Sequence, residues 1–495
     1  MTFSDVTVLT ALALSVVVFY LLASRARGES LTVLGYTLAD RQIGQREFGA
    51  SLVAASTSLA TVLLFFLSTA NYYGLVLLWC GLTYFLGQAI FLKYVTGKPL
   101  LGRDIRTISD LWYGTILSPL NARLITAITV SSFLIILFVE LYIGSIILTY
   151  FIRPMVPAYA DALGFAFMSL LVIGYVRIGG LRGVMQTDQW QLKMLLAAVL
   201  ALALFALIAV PQPAASGATP WYFALQAGPK EIILFCVWIL ILNLTLPFSQ
   251  LSSWQRVAAA KSPEEVWAGF KSHAKFLLFA WIVPVLAFVY LVSRGYVFGD
   301  VTQLFQALRS AGGITDGILY PIIVVGFGAA LFSTADTALI ALGTALADNN
   351  TFRGPLERMS EKRLRGAFTV FALLTLGVLT VVFAIAEADV GAWFIPLIYA
   401  IFGQLVVVAP LVLYSLRRIG DAPKEISSLG SYLVAAGLLV GWVVIMVAVF
   451  IDQNQGTYIW SQLAAPASFL ISGGFLLLGV AVGNARPVSG TGSAT

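Results

Sequence analysis

A chain of 495 residues that is 60% hydrophobic and only 11% charged cannot be an ordinary soluble fold, where about a quarter of residues carry charge. With a mean hydropathy of +0.93, most apolar side chains must face lipid or pack helix on helix. The net charge of +6 is spread over short loops, which excludes the single basic stripe of a nucleic-acid binder.

In chain order, about 13 apolar stretches are long enough to span a bilayer: 6–24, 47–73, 75–97, 123–152, 156–177, 189–211, 230–251, 272–293, 317–347, 366–387, 391–416, 430–451 and 464–483. The fold class expected is an all-α integral membrane protein. The first stretch is expected to remain as a span, because residues 1–6 carry no positive charge and no small-residue cleavage site interrupts the run. If each stretch crosses once, every Lys and Arg except Arg153, Lys230, Arg294 and Arg309 falls on one side. The positive-inside rule then predicts a multi-pass protein of the cell membrane with its N-terminus outside and its C-terminus in the cytoplasm.

The domain expectation is an extra helix and loop over 1–46, a five-helix unit over 47–212, and an outer loop rich in Pro, Ala and Gly over 213–229. A second five-helix unit covers 230–420, two further helices fill 421–485, and 486–495 has the composition of a disordered tail. Cys80 and Cys236 lie inside apolar runs and are expected to be buried free thiols. A single histidine, His273, excludes an imidazole metal cluster. The partners expected are the lipid bilayer and a small-molecule solute; nothing points to nucleic acid, an obligate protein partner or an organic cofactor.

Polar groups inside spans are costly, so they are candidates for function. The second stretch contains the hydroxyl run Ser51, Ser56, Thr57, Ser58 and Thr61, which serves either close helix packing or ligand binding. Glu140 sits at mid-depth in the fourth, where it would pair with a cationic substrate group, a proton or a hydroxyl on a neighbouring helix. The seventh carries Asn243, Leu246 and Pro247, and proline within a membrane helix marks a kink or break of the kind that lines transporter sites. In the ninth, Ser333, Thr334, Asp336 and Thr337 gather oxygen ligands of the type a hard cation or a proton site requires. The Ser/Thr run and the Asn/Pro run each fall in the first helix of a five-helix unit. Because each unit has an odd number of spans, the two units have opposite orientation, the layout of an inverted-repeat secondary transporter.

Four segments resemble the sodium/solute symporter family, which includes the proline permease and the sodium/sugar cotransporters. They are Gly49 to Ser56, Ile178 to Gln191 with its Gly-Gly-Leu and Thr-Asp pairs, Trp254 to Ser262, and Ala330 to Thr337. The resemblance covers roughly residues 45–420 and implies a LeuT-like core of ten helices in two inverted five-helix repeats. It further implies a sodium site made from the backbone carbonyls of Ala54, Thr57 and Ala330 with the hydroxyls of Ser333 and Thr334. Asp188 would lie close by, and Asp188, Asp336 and Thr337 would serve a second ion or ion release. On the substrate side it implies Ser56, with Ser58 beside it, and Asn243. Leu246 stands where the sugar carriers place a gating tyrosine, which argues against a sugar. Glu140 matches no family position.

The function expected is a sodium-coupled symporter, not an enzyme, that imports a small polar organic solute by alternating access, with an amino acid or organic acid favoured over a sugar. Na+ is then the co-transported ion. The alternatives are proton coupling through Asp336 or Glu140, and a solute-sensing membrane module, for which no signalling domain follows the last span.

Overall fold

The computed structural model describes residues 2–27, 32–98, 105–157, 159–209, 226–346, 390–483 and 486–487, with isolated positions between 366 and 377. Helix α1 (Phe3–Ala26) starts on a Thr2–Asp5 capping box. A short α2 (Val33–Leu38) follows, then α3 (Gln45–Ser56). The chain leaves helical geometry at Thr57 (φ −112°, ψ 68°) and Ser58 (φ −62°, ψ 145°), and resumes as a π-helical turn over Leu59–Leu64 that runs on into α4 (Phe65–Tyr73). Ser58 caps that turn, its hydroxyl accepting from the Thr61 amide at 2.8 Å.

Helix α5 (Leu78–Thr96) is separated from α4 by Gly74, whose φ of 51° no ordinary residue adopts cheaply. After a short α6 (Ile108–Tyr113) come α7 (Pro119–Ile152), with proline at its first turn, and α8 (Ala160–Ile208). Straight, the 49 residues of α8 would extend about 74 Å, more than twice a bilayer core. Gly180 (φ 57°, ψ −157°) divides it, and a Cβ there would lie 2.7 Å from the Tyr36 carbonyl, so only glycine fits both the turn and the contact.

Helix α9 (Pro229–Ser249) contains Pro247, breaks at Gln250 (ψ 116°) and resumes as α10 (Leu251–Ala259). Then follow α11 (Pro263–Ser293), α12 (Val301–Ser310), α13 (Tyr320–Leu346), α14 (Val390–Arg418), α15 (Ser428–Gln455) and α16 (Ile459–Val482).

Among the described residues ten helical runs are long and apolar enough to cross a membrane, and this is a multi-pass membrane protein. The expected 13 separate spans are not recovered as such. The run Leu59–Thr96 holds the end of the second stretch and nearly all of the third, and α8 holds most of the fifth and sixth. The tenth stretch, 366–387, lies outside the described residues apart from isolated positions, as does most of the loop 213–229. The tail 486–495 begins with order: Arg486–Pro487 (β3) pairs antiparallel with Lys424–Glu425 (β2), which pairs parallel with Ile116–Leu117 (β1).

Of these runs, those of α13 and α14 are the most enclosed and that of α1 the least. Leu14, Val17 and Leu21 on α1 and Leu200, Leu204 and Leu207 on α8 are exposed, a surface that only lipid satisfies. Cys80 and Cys236 are free thiols.

Backbones approach closely at several glycines. A Cβ on Gly49 would press on the Gly269 carbonyl and the His273 ring, tying α3 to α11. On Gly87 it would meet the carbonyl of Asn243, tying α5 to α9. Elsewhere Gly144 meets Leu331 and Met168, and Gly326 meets the Met194 carbonyl and Ala198, tying α7, α8 and α13 together. Because the Asn243 carbonyl is rigid backbone, Gly87→Ala is expected to cost about 1–3 kcal/mol, read as a lowered midpoint of thermal unfolding in detergent.

Candidate functional site

The two interrupted helices bring their breaks to one place. A narrow cavity of about 50 Å³ is lined by Ser56, Ser58 and Thr61 from the first break, Gln250 from the second, and Thr334 and Thr337 from α13. A second cavity, of about 40 Å³, adjoins it through Thr61, Leu246, Trp281 and Phe402. Both are far smaller than the roughly 300 Å³ of a ligand pocket, so the path is collapsed in this conformation. The larger cavity between α1, α7, α8 and α13, of about 290 Å³, is lined by Leu, Ile, Phe, Met, Val, Ala and Gly, and holds none of the polar chemistry.

On one side of the breaks lies a buried polar network centred on Ser51. Its hydroxyl donates to Asp188 Oδ2 at 2.5 Å and accepts from Arg256 Nε at 2.9 Å. The other oxygen of Asp188 accepts from the Ser333 hydroxyl at 2.5 Å. Arg256 also donates from Nη2 to the Thr337 hydroxyl at 2.8 Å and from Nη1 to the Ser252 carbonyl at 3.3 Å. One carboxylate and one guanidinium, both buried, thereby join α3, α8, α10 and α13. Such a pair is tolerated in a dry interior only because every member is hydrogen-bonded. Gln255 extends the clasp, its amide donating to the Thr37 and Ile340 carbonyls and to the Thr344 hydroxyl.

Of the predicted sodium ligands, Ser333 belongs to this network and the others make local helix bonds. The Ala54 carbonyl accepts from the Thr57 amide at 3.3 Å, and the Thr57 hydroxyl turns back to the Val53 carbonyl. The Thr334 hydroxyl bonds the Ala330 carbonyl at 3.2 Å, while Ser333 reaches Asp188. Asp336 borders this network on α13: Oδ2 accepts from the Tyr175 hydroxyl at 2.7 Å, and Oδ1 makes no regular hydrogen bond, with the Gln191 amide beside it.

The predicted substrate residues divide. Ser56 and Ser58 line the cavity, but Ser56 is held by Tyr84, which donates at 2.8 Å, and its carbonyl accepts from Trp281 Nε1. Tyr84 and Trp281 stack with centroids 4.3 Å apart. Asn243 touches the second cavity, yet its amide donates to the Cys80 carbonyl and the Thr83 hydroxyl of α5 and so binds helix to helix. Leu246 lines both cavities. Of the partners open to Glu140, the hydroxyl is present: Ser58 bonds Oε1, and Oε2 accepts from the Ala60 amide at 3.4 Å.

On the far side, aromatic rings close the column. Tyr73 stacks on Phe235 at 4.0 Å and Trp238 lies 4.4 Å from Tyr399. Gln462 of α16 donates to both the Tyr73 and Tyr399 hydroxyls at 3.0 Å. Beside them, in the turn between α15 and α16, burial raises the Tyr458 phenol above its ordinary value and Asp452 adds to the effect.

Sequence reasoning missed Arg256, Gln255, Tyr175 and Tyr84. Arg256 was counted among loop cations, although it sits in a segment that carries the family resemblance.

No protein-family model matches the sequence, and no curated protein matches it either. Solved structures do share its fold. A Na+-coupled sialic acid symporter in a substrate-bound outward-open state has a TM-score of 0.67 at 14% identity, with 97% of this chain and 99% of that chain covered. A nucleobase-cation-symport-1 family transporter, in a closed conformation with bromovinylhydantoin bound, has 0.55 at 12% identity over 92% and 96%. A mutant manganese transporter of Eremococcus coleocola has 0.53 at 13% identity over 90% and 94%. The architecture that the sequence predicted, an all-helical membrane fold of the LeuT-like type, is the one these chains share.

Proposed function

We propose that this protein is a secondary active symporter of the cell membrane, in which Na+ moving down its gradient drives a small polar organic solute inward. The observation that carries the proposal is the meeting of two mid-fold helix breaks beside a buried Ser51–Asp188–Ser333 bridge between α3 and α13. Broken helices at mid-membrane expose backbone carbonyls that coordinate ions, and the symporters sharing the fold support this use. The ligands proposed for Na+ remain Ala54, Thr57, Ala330, Ser333 and Thr334, with Asp188 one hydrogen bond away. The two five-helix repeats are proposed over 47–212 and 230–420, and the distribution of Lys and Arg supports an N-terminus outside.

Moving one charge across 100 mV is worth about 2.3 kcal/mol, roughly a fifty-fold accumulation. In proteoliposomes, an imposed inward Na+ gradient is expected to drive uptake of the solute at least tenfold above a K+ control. Uptake indifferent to Na+ overturns the proposal. A proton-coupled alternative is favoured by the unbonded Oδ1 of Asp336; it predicts uptake driven by a pH gradient alone and lost in Asp336→Asn.

A further inference from the structure

The N-terminal end of a broken half-helix is the place where a transporter of this type would seat an anionic substrate group, because unpaired amides and the helix dipole favour negative charge there. In this chain the seat is taken by the protein. Glu140 of α7 is fully buried, and it reaches the start of the helical segment that begins at Leu59. Its Oε2 accepts from the Ala60 amide, and its Oε1 accepts from Ser58, whose own oxygen is engaged by the Thr61 amide. Both carboxyl oxygens are thereby engaged at the start of that segment.

The cavity wall supplies the second observation. None of the residues lining either narrow cavity is Lys, Arg, His, Asp or Glu. The nearest buried cation, Arg256, is linked to Asp188 through Ser51, whereas the groups meeting Glu140 are Ser58, Ala60 and Thr61. Ile136 and Phe133, one and two turns before Glu140 on α7, line the cavity, so the carboxylate stands directly behind its wall. Beyond Ser58 the path is faced by Phe65, Phe66, Trp238, Trp281 and Phe402. Arg256 reaches the same cavity wall through Thr337 and Ser252, but its charge is offset by Asp188 through Ser51, whereas Glu140 has no cation beside it among the described residues, and aromatic faces with a carboxyl group behind them favour organic cations.

We propose that the solute is an organic cation of the ammonium class, held by the aromatic faces and attracted by the Glu140 carboxylate through Ser58. The inference rests on the symporter proposal and narrows its substrate: an organic cation is favoured over an organic acid because a carboxyl group of the protein already occupies the start of the Leu59 segment.

The test uses purified full-length protein with and without Na+, followed by thermal unfolding. The probes are choline, its uncharged isostere 3,3-dimethylbutan-1-ol, and lactate. Choline is expected to stabilise the protein at concentrations at least tenfold lower than the isostere, and lactate not at all. Glu140→Gln is expected to weaken choline at least tenfold while keeping the shift produced by Na+ alone, which also shows that the variant is folded. Glu140→Asp, which retains the charge, is expected to lose less, and it serves where Glu140→Gln does not fold. Equal stabilisation by choline and the isostere, or stabilisation by lactate, overturns the inference. A Na+ shift accompanied by lactate binding would leave the symporter standing with another substrate, whereas absence of any Na+ effect would count against the symporter itself.

Discussion

Asp188→Asn is expected to destabilise the protein by about 3–5 kcal/mol, and the loss is expected to shrink when Arg256→Gln is added. Asp188 and Arg256 are both buried and meet through one hydroxyl, Ser51. Neutralising the carboxylate leaves the guanidinium enclosed without the anion that offsets its desolvation, and removing one member of a buried pair costs that much. Removing both leaves neutral amides that can still bond Ser51, Ser333 and Thr337, so the double variant should fall well short of the sum of the two singles. Thermal unfolding of the wild type, both singles and the double closes the cycle. Strict additivity would mean that the Ser51 bridge carries no coupling between the two charges.

Ser333→Ala and Thr334→Ala are expected to raise the Na+ concentration that half-saturates stabilisation or uptake by about tenfold or more. Each removes an oxygen from the proposed ion site, and a hydrogen bond or ligand contact to a charged species is worth about 1.5–3 kcal/mol. Ser333 also donates to Asp188, so its loss should be larger than that of Thr334, whose hydroxyl otherwise bonds only its own helix at Ala330. Unchanged Na+ dependence in both variants would remove the ion from this position.

Much of this was visible in the sequence. The hydroxyl run at 51–61 pointed to packing or ligand binding, and the structure places a helix break within it, where small and polar residues let neighbours replace the helix's own bonds. The second break was placed near Pro247 but occurs at Gln250. Pro247 has no N–H for the Asn243 carbonyl, so what it loosens is the last turn of α9, and Gly87 packs against that carbonyl.

What the residues could not tell was direction. Spacing put Asn243 in a polar cluster, but the face it turns toward α5 was set by packing, and its amide is spent on Cys80 and Thr83. Arg256 illustrates the same limit: a cation next to an apolar run looks like a loop residue until its partner, 68 positions earlier in the chain, is seen beside it.

The glycine contacts also sort the helices mechanically. Gly49 and Gly87 lock α3 to α11 and α5 to α9 through backbone, and Gly326 does the same between α13 and α8, while Gly144 of α7 packs on the side chains of Leu331 and Met168. The links between the two sets described above are of another kind: Ser58 to Glu140, Ser51 to Asp188, Arg256 to Thr337. Interdigitated backbones cannot part without opening voids, but hydrogen bonds can be exchanged for water or an ion at little net cost. A seam of exchangeable hydrogen bonds thus runs between these two groups of helices, and along it lie polar side chains that an entering ion could satisfy.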